Sequence, residues 1–63
     1  MLNTFNVVKV FSATKFADRE RLGDRVTMWI EETNAEVVNT EVRQSSDAEF
    51  HCISIIVFAK IEE

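Results

Sequence analysis

Residues 50–61, Phe-His-Cys-Ile-Ser-Ile-Ile-Val-Phe-Ala-Lys-Ile, form a strand-like run that is apolar on both of its alternating sides. Successive side chains of a strand point to opposite faces of a sheet. Ile53, Ile55, Val57, Ala59 and Ile61 therefore share one side, and Phe50, Cys52, Ile56 and Phe58 share the other. A helix can cover one side of such a strand. In a chain this short the second side has to be covered from outside, so the run predicts self-assembly.

The 63 residues are expected to form a single domain over residues 1–63. At that size one hydrophobic core is marginal, and a disulfide, a metal or oligomerisation makes up the difference. Cys52 is the only cysteine, so no intrachain disulfide is available. His51 is the only histidine, and as the neighbour of Cys52 on a strand it points the opposite way. The two cannot hold one tetrahedral ion within a chain, and neither a metal nor a cofactor is expected. Oligomerisation is what remains. A composition of 46% hydrophobic and 29% charged residues is that of a folded chain. Seven Lys and Arg against eleven Asp and Glu give a net charge of -4, and the basic residues form no long run, which argues against a nucleic-acid partner. The first residues lack a cationic, apolar signal region, and no apolar stretch reaches the roughly 18 to 20 residues of a membrane span. A cytoplasmic protein with no membrane partner is the expectation, and a lone cysteine agrees with it.

Two further strands and one helix are readable. Residues 5–11 are β-branched and aromatic between polar flanks, with Phe5, Val7 and Phe11 on one side and Val8 and Val10 on the other. From Lys15 to Thr33 the apolar period becomes helical, with Phe16, Arg19, Leu22, Gly23, Val26, Trp29 and Ile30 on one stripe. Ser12 or Thr14 is placed to cap this helix, Asp18 to favour its first turn, and Asn34 to end it in a left-handed conformation. Gly23 would permit close approach to a sheet, Trp29 reads as core, and Asp18–Arg21 and Arg21–Asp24 are available as surface pairs. Residues 36–44 alternate Val38, Thr40 and Val42 against Asn39, Glu41 and Arg43, as in a half-exposed strand. Ser45, Ser46, Asp47 and Ala48 supply the turn before the last strand.

The order β-α-β-β implies an α+β, two-layer fold. A crossover helix makes the first two strands parallel, and the hairpin makes the third antiparallel to the second. Placing the third strand in the middle, order 1-3-2, explains its two-sided hydrophobicity and leaves the most polar strand on an edge. The helix covers one face and an oligomer buries the other. An uncovered patch of about 300 to 500 Å2 represents on the order of 10 kcal/mol of burial not yet realised.

This element order resembles that of dodecins, small flavin-storing proteins that assemble into hollow shells through their sheets. The likeness is one of topology over the whole chain. At Glu36, Val37, Val38 and Asn39, where dodecins carry a tryptophan that stacks on flavin, this chain has no aromatic residue.

The candidate site residues divide into an assembly set and a contact set. Phe5, Val7, Val8, Val10, Phe11, Ile53, Ile55, Ile56, Val57 and Phe58 are the candidate oligomer interface, on whichever face the helix leaves free. Ser12, Thr14 and Lys15, at a strand-to-helix junction with free N–H groups, and Arg43, Gln44, Ser45 and His51, around the hairpin tip, are candidate ligand or anion contacts. Each has an ordinary structural reading as a cap or a polar turn. No catalytic group is assigned, because His51 and Cys52 diverge and no nucleophile, base and orienting group come together in one chain. The leading function is a non-enzymatic homo-oligomeric assembly or interaction module whose partner is itself. The alternative is an oligomer that holds a small planar or anionic ligand between subunits, and an enzyme ranks third.

Overall fold

The computed structural model describes residues 4–46 and 51–62. Of the expected turn, Ser45 and Ser46 instead extend a strand, paired with Cys52 and His51, while Asp47 and Ala48, like the placement of Phe50, lie outside the described residues. Three strands and two helices follow in the order β1 (Val7–Ala13), α1 (Phe16–Glu20), α2 (Leu22–Thr33), β2 (Glu36–Ser46) and β3 (His51–Lys60). The sheet order is β1-β3-β2, and both edge strands run antiparallel to β3. The edge strands are therefore parallel to each other, as a crossover requires.

β1 is displaced from its expected span. Ser12 and Ala13, poor strand formers by themselves, are drawn into the ladder opposite Ser54 and Ile53. At the other end the Asn6 side chain imitates a backbone pair: its Nδ2 donates to the Ile61 carbonyl at 2.9 Å and its Oδ1 accepts from the Ile61 N–H at 3.0 Å. Phe5, beyond this clamp, escapes strand alternation. It leaves the side of Val7 and Phe11, where simple alternation puts it, and stacks edge-on against Phe58 with ring centroids 5.1 Å apart.

The expected single helix is broken at Arg21. The Arg21 N–H bonds back only three residues, to the Asp18 carbonyl, and its own carbonyl accepts from Arg25 to start α2. The N-cap of α1 is Lys15, with no side-chain cap, so Ser12 and Thr14 do not serve that role. Ser12 is committed to β1, where its hydroxyl bonds the Ser54 hydroxyl at 2.8 Å. Asp18 does lie in the first turn. Asn34 ends α2 at φ 58°, ψ 35°, the left-handed conformation that asparagine tolerates. Two positions of the expected stripe do not pack against the sheet. A Cβ on Gly23 would meet nothing within 4 Å, so no close approach occurs there. Phe16 is exposed, with the Arg19 guanidinium 5.7 Å from its ring.

The core is small: Phe11, Ala13, Leu22, Val57 and Ala59, flanked by Val26, Trp29, Ala35, Ile53 and Ile55. Trp29 packs edge-on against Phe11 at 6.0 Å, a core position as expected. The helical layer packs over β1 and β3. It leaves the same face of β2 uncovered, where Val37 and Val42 are exposed. A bulge at Val38, between Val37 opposite Ala59 and Asn39 opposite Phe58, also changes the expected alternation of β2. Val38 turns away from the side of Thr40 and Val42 and joins Phe58. The radius of gyration, 13.2 Å, exceeds the about 11 Å of a compact domain of this length.

Candidate interaction surface

The register sorts every apolar residue of the sheet onto one of two faces. Val7, Phe11 and Ala13 of β1 stand opposite Ala59, Ile55 and Ile53, on the side that α2 covers. Val8, Val10 and Ser12 stand opposite Phe58, Ile56 and Ser54 on the other side. Val57 and Ala59 are 0% exposed, whereas Val8 and Val10 are 50% and 55% exposed. Of the candidate interface, Val7, Phe11, Ile53, Ile55 and Val57 thus belong to the helix side. Val8, Val10, Ile56 and Phe58 form the open face, and Phe5 joins them by the turn before β1.

The open face has an apolar half and a polar half. Across β1 and β3 it is aliphatic and aromatic. Toward β2 it becomes Asn39, Glu41, Arg43 and Ser45, set opposite Phe58, Ile56, Ser54 and Cys52. Between the halves Phe5, Val38, Asn39, Glu41 and Phe58 line a shallow hollow of about 290 Å3. Glu41 and Arg43, two residues apart on this face, form an ion pair of 2.8 Å with both side chains solvent-accessible. It is the only ion pair within 4 Å among the described residues, so Asp18–Arg21 and Arg21–Asp24 do not close. No group of three or more metal-ligating side chains occurs among the described residues. No helix among the described residues is long and apolar enough to cross a membrane.

The two groups of candidate contacts, distant in sequence, share one end of the sheet. β1 runs out at Ala13 opposite Ile53, β3 begins at His51, and β2 finishes at Ser46 opposite His51. The register therefore puts Ser12, Thr14 and Lys15 at the same end as Gln44, Ser45 and His51, with β3, which carries His51, between the β1 and β2 strands. His51 is exposed on the helix side, whereas Cys52 is half-buried on the open face opposite Ser45. The two side chains diverge, and within one protomer they share neither a proton nor a ligand.

No protein-family model, curated protein or solved structure matches this chain. The dodecin likeness is therefore one of element order alone. Sequence reasoning did not single out the uncovered helix-side strip of β2, carrying Val42, or the bulge that sends Val38 to the open face. Val42 alternates correctly for a buried position, and nothing in its neighbours tells how far the helix reaches across the sheet.

Proposed function

We propose that the chain is a homo-oligomeric assembly module and that two copies meet through their open sheet faces. The observation that carries this reading is the exposure of Val8 and Val10 beside half-buried Ile56 and Phe58, on a sheet whose other face already holds the core. Exposed apolar side chains that are contiguous on a flat surface mark association sites, whereas scattered ones do not. The small core points the same way, since burial that the domain does not achieve internally is available at the contact. Sedimentation velocity at micromolar concentration tests it. The expected species has a mass that is a multiple of the 7.3 kDa chain, and Val10→Asp lowers that mass while leaving the circular dichroism unchanged. A well-folded monomer of the unaltered chain would sink the reading. Protein purified from cells with a visible absorbance band, or heavier than a clean multiple, would instead favour an oligomer that holds a small ligand.

A further inference from the structure

The open face of one chain is small for a stable contact. Three strands about 4.8 Å apart and about ten residues long at 3.4 Å each cover roughly 500 Å2, against about 800 Å2 per partner in an interface of standard size. The sheet also ends in a free edge, β2, whose 11 residues carry Val42 at 64% exposure on the helix side. We propose that β2 pairs antiparallel with β2 of a second copy about a two-fold axis at Val42, making one six-stranded sheet.

Charge complementarity selects that axis. A two-fold axis perpendicular to the sheet keeps each side chain on its own face, so residues opposite each other must have the same facing. This restricts the axis to residue positions. With the axis at Val42, Glu41 lies opposite Arg43 of the copy and Arg43 opposite Glu41, while Val42 meets itself and Thr40 meets Gln44. Moving the axis to Glu41 sets two carboxylates opposite one another, and moving it to Arg43 sets two guanidiniums opposite one another. Like charges directly opposite on antiparallel strands are destabilising. Moving it to Thr40 brings the irregular Val38 into the new ladder. The ion pair already formed within one strand shows that the two side chains reach each other on this face. Across the axis each gains an opposite charge on a neighbouring strand as well.

The competing edge is less suited. β1 has seven residues, and the guanidinium of Arg25, on α2, donates to the Ser12 carbonyl at 3.4 Å. Pairing at β2 leaves the helices of both copies on one side and both open faces on the other. It doubles the surface on which the face-to-face contact forms, and it stands whether or not that contact does.

Disulfide trapping at Val42 tests the edge separately from the face. Val42 lies on the helix side, so stacking of open faces cannot bring it to its copy. Opposite residues in an antiparallel pair have Cα atoms about 4.5 to 5.5 Å apart, within disulfide range. The variant Val42→Cys with Cys52→Ala, oxidised by diamide at micromolar concentration, is expected to give covalent dimers on a non-reducing gel. Adding Glu41→Arg, or adding Arg43→Glu, should each slow dimer formation at least tenfold, because each strand then opposes itself with like charges. An equal mixture of those two should restore the rate and give the mixed dimer by mass. All three positions are solvent-accessible, so folding is retained, and circular dichroism verifies it. Equal rates in all four samples would show random collision, and slow oxidation in all four would show that the edges do not meet. Either result overturns the proposal.

Discussion

The two sides of β3 are nearly equal in apolar content and opposite in fate. Val57 and Ala59, on the helix side, are sealed by Leu22, Val26 and Trp29. Ile56 and Phe58, one residue away in each case, are half-buried on a face with no second layer. Hydrophobicity alone does not distinguish a core residue from a residue of the open face in this chain. The connection does, because a helix of 12 residues reaches only one face and only two of the three strands.

The largest effect that would break this contrast is a charge placed on each side in turn. Val57→Asp, on the helix side at a fully buried position, should unfold the chain, because an unpaired buried charge costs several kcal/mol. Ile56→Asp, on the open side, should leave a folded protein of lower mass. Circular dichroism read together with sedimentation separates the two, and loss of fold in both would mean that folding and assembly are one event. Next is Leu22→Ala, which empties a buried position in the small core. A loss of about 2 to 4 kcal/mol in urea unfolding is expected, larger than for any truncation on the open face of a dissociated chain. Asn34→Ala follows, with a loss of about 1 kcal/mol because alanine resists the left-handed conformation, whereas Asn34→Gly should be neutral or slightly stabilising. Smaller again is Cys52→Ala, half-buried on the open face, with about 1 kcal/mol or less in thermal unfolding. His51→Gln should change still less. A lost activity or ligand in either of the last two, with mass and fold intact, would turn attention to a site formed across the subunit boundary.

Strand order and facing were readable because β3 is the most apolar strand and alternates without interruption, and a central position, paired along both edges, is the most enclosed in a sheet. Asn34 was readable because its chemistry is local. The features that were not readable depend on distant partners. Ser12 and Ala13 are strand residues because β3 extends far enough to pair them, and Phe5 leaves the ladder because Asn6 clamps Ile61. The break at Arg21 interrupts a continuous helical pattern that carries neither proline nor a cap signal. Gly23 sits on the stripe by period alone, and a Cβ there would meet nothing within 4 Å. For the candidate site, the grouping of Val8 with Val10 and of Ile56 with Phe58 was readable from alternation, whereas the places of Phe5 and Val38 were not. Which face the helix would choose was not, since both offered comparable apolar surface.

The central position of β3 also has a consequence in time. Its partner β2 arrives through a hairpin, whereas its partner β1 comes from the far end of the sequence, with Ser12 and Ser54 separated by 42 positions. Closing the longer loop costs more chain entropy before any contact is gained, so the hairpin is expected to form first and Val7–Ala13 to dock afterwards. In that interval the vacant edge of β3 accepts a first strand from any copy present. Refolding at high concentration should therefore yield strand-exchanged dimers that dilution clears only slowly, and refolding at low concentration should not. Equal yields at both concentrations would show that β1 docks as early as the hairpin closes.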